Sequence, residues 1–307
     1  MANPNVVGPL AKGGAGSEKW RQPAPTLSPK PFDERLQKAL DKALYAGGRR
    51  GAQQFRNFLN GTWLGEPLHA VLKDLPIGAW TMAMIFDALA LNRSRREFAR
   101  AADTAMAIGV AGAACAAVAG AADWSDVGPQ VRRTGLIHGL LNLGATALFA
   151  TSWVLRKKEV RTGGRVTAAL GYSIMVFSAH LGGRMVYEHR VGVDQTGGQV
   201  FPEEFTAVLP EAELTNDKPT RVDYKGTPIL LVRRGERIFA MAETCSHFSG
   251  PLSQGHLVDD SIVCPYHYSR FALEDGHVIN GPAVHPQPCL EVRVSSGQVE
   301  VRKTRAA

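Results

Sequence analysis

Cysteine is scarce in this 307-residue chain: four residues, too few for a disulfide-stapled scaffold. Residues 1–31 have few large apolar side chains and are rich in Gly, Pro, Ala and Ser. They lack the short apolar core and small-residue cleavage site of a Sec signal peptide. Such a composition cannot offset the entropy of ordering, so residues 1–31 are predicted to be a disordered tail. Mean hydropathy is −0.10, which excludes a chain that is membrane from end to end. Negative charge is in short supply only in the first two thirds. Residues 1–200 hold 24 Lys and Arg against 14 Asp and Glu, whereas residues 201–307 hold 11 against 14. That asymmetry argues against one nucleic-acid-binding body, and no nucleic acid partner is expected. It fits basic loops at a lipid bilayer, followed by a separate soluble domain.

Four stretches nearly lack charge. Leu75–Leu91 has only Asp87, and Thr104–Ala122 has none. Thr134–Leu155 and Val166–Gly183 have His138 and His180 as their only ionisable groups. Each is about long enough to cross a ~30 Å hydrocarbon core at ~1.5 Å per residue. Short charged turns separate them, so residues 67–193 are predicted to form an α-helical transmembrane four-helix bundle. A soluble Ala-rich bundle is the alternative, but the second stretch has no polar face to offer water. Over residues 32–66, Phe32, Leu36, Leu40 and Leu44 recur every fourth position. That spacing predicts an amphipathic helix, lying on the bilayer surface or packed on a core. From Glu203 the pattern alternates, with runs such as Pro228–Val232 and Arg237–Ala242 and a strand pair around Ser295-Ser296-Gly297. Residues 203–307 therefore read as a small all-β domain.

The chemistry is concentrated in that domain. Cys245-Ser246-His247 is followed, sixteen residues later, by Cys264-Pro265-Tyr266-His267. Each segment offers one thiolate and one imidazole. Two Cys and two His are the ligand set of a Rieske [2Fe–2S] cluster. A zinc site is the alternative, although zinc usually takes C-x₂₋₄-C and H-x₃₋₅-H pairs. Gly250-Pro251-Leu252, Cys264-Pro265, Phe271, Gly276 and Gly281-Pro282 extend the match, and the domain resembles the Rieske ferredoxin family. The resemblance implies that Cys245 and Cys264 hold the inner iron. It implies that His247 and His267 bind the outer iron through their δ nitrogens at an exposed redox edge. It also places Tyr266, Tyr268, Ser269 and Phe271 around the cluster. Relative to quinol-oxidising Rieske proteins, Gly250 and Tyr266 stand where a disulfide would be, Phe271 replaces a Tyr, and Tyr268 replaces a Gly. One hydroxyl donor, Ser269, instead of two implies a potential in the middle of the Rieske range of roughly −150 to +300 mV. Cys115 and Cys289 read as buried structural thiols, and His256, His277 and His285 as surface loop residues.

The preceding region resembles the DUF2231 membrane family from about Leu68 to Val193. The matching pieces are Leu75-Pro76-Ile77-Gly78 with Asp87, Gly120-Ala121-Ala122-Asp123, His138 with Asn142, and His180-Leu181-Gly182-Gly183. Alternating spans bring His69, Asp123, His138, Asn142 and His180 toward one membrane face, the one carrying both termini. Three histidines there suggest a haem b or quinone site, with helix-to-helix hydrogen bonding as the plainer reading. The loops on the opposite face hold nine Lys and Arg against about six on the termini face, which favours termini outside. Assembly of a [2Fe–2S] domain in the cytosol argues for the reverse. The resulting expectation is a multi-pass protein of the bacterial inner membrane with a cytoplasmic Rieske domain, carrying one electron at a time between redox protein partners. A quinol- or haem-linked oxidoreductase and a redox sensor are the alternatives. An oxygenase catalytic subunit is not expected, because no 2-His-1-carboxylate iron domain follows the ligands.

Overall fold

The computed structural model describes residues 32–44, 50–92 and 96–304. The predicted tail over residues 1–31 lies outside them. Among the described residues seven helices come first: α1 Phe32–Leu44, α2 Arg50–Asn60, α3 Leu68–Leu72, α4 Asp74–Leu89, α5 Arg96–Ser125, α6 Pro129–Lys157 and α7 Arg161–Tyr187. Ten strands follow, from β1 to β10, in the C-terminal domain.

Among the described residues three helical stretches are long and apolar enough to cross a bilayer: Glu97–Ser125, Pro129–Lys157 and Arg161–Tyr187. The expected first span is shorter as a helix. At 16 residues, α4 rises only ~24 Å at ~1.5 Å per residue. It is preceded by α3 with Lys73 between them in helical conformation. Pro76 explains the interruption, because it has no N–H to return to the carbonyl of Leu72 one turn earlier. α4 packs on α5, α5 on α6, α6 on α7, and α7 returns to α4. At their centre Trp80 stacks on Phe149 with centroids 3.9 Å apart. Gly109 makes room, since a β-carbon there would sit 2.2 Å from Trp80 Nε1. Outward-facing Leu140, Leu143, Leu170 and Phe177 stay exposed, an apolar surface that suits lipid better than water.

The charged segments expected as turns are largely helical. Connections shrink to short links such as Asp126–Gly128 and Lys158–Val160. Five of the charges there are paired with one another. Arg156 is 1% exposed and donates Nη1 to Asp87 Oδ1 at 2.8 Å and to Asp103 Oδ1 at 3.4 Å. Its Nη2 contacts Asp87 Oδ2, and Nε donates to Ser152 Oγ at 3.0 Å. Arg161 pairs with Asp103 at 2.8 Å and Arg165 with Asp87 at 3.5 Å. Three arginines and two aspartates from four helices thus form one ion-pair network at the bundle end away from the β domain.

The single amphipathic helix expected over residues 32–66 is two helices. α1 is held by a polar residue: buried Gln37 donates Nε2 to Trp124 O (2.8 Å) and Val127 O (3.0 Å). Phe32 and Leu36 on α1, and Phe55 and Phe58 on α2, remain exposed.

The β domain has two sheets. One has the order β1-β10-β9-β4-β3-β2, from β1 Thr206–Pro210, β2 Thr220–Tyr224, β3 Thr227–Arg234, β4 Arg237–Ala242, β9 Cys289–Ser295 and β10 Gln298–Lys303. The other has the order β5-β6-β7-β8, from β5 His256–Val258, β6 Ser261–Val263, β7 Arg270–Ala272 and β8 Val278–Asn280. The alternation in β3 sends Ile229 and Leu231 into one core and Leu230 and Val232 into the other. The second core also contains Cys245, Cys264 and Phe271. Ser296 and Gly297, with φ of +50° and +73°, turn β9 into β10, as expected of a two-residue hairpin.

Candidate metal centre

Two loops bring the four predicted ligands together. The first leaves β4, and the second joins β6 to β7. Cys245 N donates to Gly250 O at 2.9 Å, and Ser249 N to Cys245 O at 3.0 Å. In the second loop Cys264 N donates to Ser269 O at 2.8 Å, and Tyr268 N to Cys264 O at 3.2 Å. Ser249 and Tyr268 take left-handed backbone, with φ of +55° and +62°. Tyr268 thus carries a side chain where the family favours glycine, and its ring lies out in solvent, 65% exposed.

Both sulfurs face the same space, with the two thiols hydrogen-bonded to each other. The backbone N–H groups of His247 and Phe248 point at Cys245 Sγ, and those of Tyr266 and His267 at Cys264 Sγ. The shared hydrogen bond raises the Cys245 thiol well above its usual range. The same bond, with the N–H donors, lowers Cys264 to about 7. Donors converging on sulfur are what a thiolate ligand needs. The rings of His247 and His267 lie edge to face, 5.1 Å apart. Burial, then the neighbouring positive charges of His267 and Arg56, pushes His247 well below its ordinary value. Burial, then Arg56, takes His267 down to about 4. Neutral imidazole is the form that binds a metal. His247 Nδ1 is fully buried with no hydrogen-bond partner. A buried polar atom left without a partner is costly, and a metal at that position would satisfy it. Two thiols and two neutral imidazoles on adjoining loops therefore fit a [2Fe–2S] cluster, which asks two protein ligands of each iron. Among the described residues, no three His, Cys, Asp or Glu side chains gather around one ion position.

The surroundings refine the expectations. A β-carbon on Gly250 would lie 2.6 Å from Cys264 Sγ and 3.1 Å from the Tyr266 ring. Gly250 and Tyr266 are thus neighbours, as the missing-disulfide comparison implies, and glycine is required by the sulfur. Ser269 is buried and its Oγ accepts from Ala283 N at 2.9 Å, which leaves its own proton to donate. Phe271 is fully buried beside the cysteines. Of the two other thiols, Cys289 is partly buried but Cys115 is exposed, which corrects the expectation of a buried thiol there. Gln287, absent from the sequence reading, is the brace of the first loop. Its Nε2 donates to Ala242 O (2.9 Å) and Thr244 O (2.7 Å), while its Oε1 accepts from Ser246 N (2.9 Å). Only its 2% exposure distinguishes it from any loop glutamine.

The redox edge is only partly open to solvent. His247 and His267 are half-buried. The tip faces the helical domain across a cleft of about 450 Å³ lined by Gly128, Pro129, Phe248, Pro265, Tyr266 and His267. Asn57 on α2 joins the two domains. Its Nδ2 donates to Ile279 O (3.3 Å) and Asn280 Oδ1 (3.2 Å), and its Oδ1 accepts from Gly281 N (3.0 Å).

The five polar residues of the membrane domain do not converge on one pocket. His69 Nδ1 meets Ala116 O on α5 at 2.9 Å. His138 Nδ1 lies 2.9 Å from Ser178 O and 3.0 Å from Ser178 Oγ, and Asn142 Nδ2 donates to His138 Nε2 at 3.0 Å. Both nitrogens of His138 are thus engaged within the protein. His180 is exposed, and Asp123 bonds Asn60. This arrangement is helix-to-helix hydrogen bonding and lends no support to haem or quinone.

A family model described as a predicted membrane protein (DUF2231) matches residues 65–195, and a Rieske [2Fe-2S] domain model matches residues 204–293. The chain is 34% identical over 89 residues to the anthranilate 1,2-dioxygenase ferredoxin subunit of Burkholderia cepacia, covering 29% of this chain and 82% of that protein. It is 30% identical over 96 residues to the biphenyl 2,3-dioxygenase ferredoxin component of Rhodococcus jostii, covering 31% and 90%. A solved structure, the ferredoxin of carbazole 1,9a-dioxygenase from Nocardioides aromaticivorans, is 27% identical with a TM-score of 0.32, covering 33% of this chain and 100% of that one. With two cysteines and two histidines facing one another in the matched segment, the chain belongs to the Rieske [2Fe–2S] family through its C-terminal domain, joined to a DUF2231 domain.

Proposed function

We propose that this protein is a membrane-anchored Rieske electron carrier. Cys245 and Cys264 bind one iron, and His247 and His267 bind the other through Nδ1. When bound, the cluster supplies a reversible one-electron couple. The chain's own groups do the rest. Backbone N–H groups at residues 247, 248, 266 and 267 stabilise charge on sulfur, Ser269 is placed to donate to sulfur, and the half-buried imidazoles carry the electron to a partner. The observation that carries this reading is the buried, partnerless Nδ1 of His247 beside two thiols that each receive two N–H donors. The relatives are ferredoxin subunits of dioxygenases, which supports a redox protein as donor or acceptor.

α4 to α7 act as four spans of an inner-membrane domain, with α3 and Lys73 lengthening the first. α1 and α2 lie along the interface with Phe32, Leu36, Phe55 and Phe58 in lipid. Pairing of Arg156, Arg161 and Arg165 with Asp87 and Asp103 leaves the Lys and Arg count of the loops as it was. A cytoplasmic Rieske domain rests instead on assembly of the [2Fe–2S] cluster in the cytosol. The test is the full chain purified in detergent. Iron, acid-labile sulfide and a Rieske EPR signal are expected together, and His267→Ala is expected to lose the signal completely. Stoichiometric zinc without sulfide, or a normal signal in that variant, would overturn the assignment.

A further inference from the structure

Asn57, in the last turn of α2, reaches into the β domain with both ends of its amide. Nδ2 donates to Ile279 O at 3.3 Å and to Asn280 Oδ1 at 3.2 Å, and Oδ1 accepts from Gly281 N at 3.0 Å. Gln53, one turn earlier, donates Nε2 to the same Oδ1 at 3.0 Å and so fixes which way the amide faces. The contact is close: a β-carbon on Gly281 would lie 2.9 Å from Thr62 Oγ1. The segment gripped is the one that runs beside Ser269. Asn280 is the register partner of Arg270 across β8 and β7. Ala283 N, two residues past Gly281, donates to Ser269 Oγ at 2.9 Å. Ser269 O in turn accepts from Cys264 N at 2.8 Å. Hydrogen bonds and two short backbone steps therefore link α2 to the Ser269 hydroxyl and to the second ligand loop.

We infer that Asn57 is a positioning residue of the Rieske centre, supplied by the helical domain, which raises the reduction potential by fixing the Ser269 hydroxyl for donation to cluster sulfur. This rests on the cluster assignment above. Reduction adds one negative charge at the centre, and a hydrogen bond to sulfur favours that state. Such a bond weakens steeply as its angle departs from linear. Ser269 Oγ is anchored on its acceptor side by Ala283 N, so the direction left to its proton follows from where Ala283 stands. Asn57 holds the backbone that leads to Ala283, from the opposite domain. The helical domain thus serves as part of the scaffold of the redox centre as well as an anchor.

The test is an EPR-monitored redox titration of the full chain in detergent, for the wild type, Asn57→Ala, Ser269→Ala and the double variant. The expected result is a lower midpoint potential in Ser269→Ala and a smaller shift of the same sign in Asn57→Ala. The double variant is expected at the Ser269→Ala value, because without the hydroxyl Asn57 has nothing to position; residues sharing one network are non-additive in this way. Hydrogen exchange read by mass spectrometry should also be faster over residues 279–283 in Asn57→Ala. An unshifted potential in either single variant, a further fall in the double variant, or unchanged exchange overturns the inference and leaves the cluster assignment standing. A wild-type protein without a Rieske signal overturns the assignment and the inference with it. Should Asn57→Ala fail to accumulate, Gln53→Ala decides: a lowered potential that vanishes in the Ser269→Ala background supports the inference, and any other result overturns it.

Discussion

The helical domain and the β domain treat two partly buried side chains, His138 and His247, in opposite ways. Between helices, both ring nitrogens of His138 and the guanidinium of Arg156 are matched within the protein. Arg156 has Asp87, Asp103 and Ser152, and His138 has Asn142 and Ser178. In the β domain, His247 Nδ1 is buried and unmatched, and two thiols face the same space. The contrast separates two uses of a histidine. A ring whose nitrogens are already spent holds helices together, whereas a ring with a spare buried nitrogen is prepared for something that is not protein.

Substitutions in either domain test the contrast. The largest effect is expected at Arg156. Its replacement by Ala leaves Asp87 and Asp103 buried without their main partner, at a cost of about 3–5 kcal/mol. A large fall in thermal midpoint in detergent is expected, and an unchanged one would mean the charges are solvated after all. His138→Ala removes one interhelical clip, for which about 0.6–2 kcal/mol is typical in membranes. The expected outcome is a modest loss of thermal stability with the Rieske EPR signal unaltered. A lost or shifted signal would tie His138 to the cluster and restore the functional reading. The smallest effect concerns Cys289, whose thiol burial pushes up to about 11. Alkylation by iodoacetamide at pH 8 should be slow in the folded protein and prompt after denaturation, as mass spectrometry would show. Prompt modification of the folded chain would place that thiol outside the core.

Patterns confined to short segments were legible from residues alone. The spacing of Cys245-Ser246-His247 and Cys264-Pro265-Tyr266-His267 announced both loops. The alternation in Pro228–Val232 and Arg237–Ala242 matched β3 and β4, and Ser295-Ser296-Gly297 marked the turn into β10. The charge-free stretches located the long helices but not their ends. Arg, Lys and Asp were read as turn residues because they flank apolar runs. Charged residues are compatible with a helix, however, and some of these, such as Asp103, Arg156 and Arg161, pair with a neighbouring helix. Gln287 and Asn57 carried no signal at all, for an amide is informative only once its partners are known. Asn57 meets Ile279 across 222 positions.

Sequence by itself determined the ligand chemistry, the family and the division into an apolar helical part and an alternating β part, because ligand spacing and hydrophobic period are properties of neighbouring residues. Tertiary structure alone decided which histidines remain available to a metal, which arginines are buried in ion pairs, and that the Rieske tip faces Gly128 and Pro129 across a cleft. Those outcomes depend on distances between side chains far apart in the chain. Burial and pairing, which set what a charge or a ring nitrogen can do, exist only once those distances are fixed.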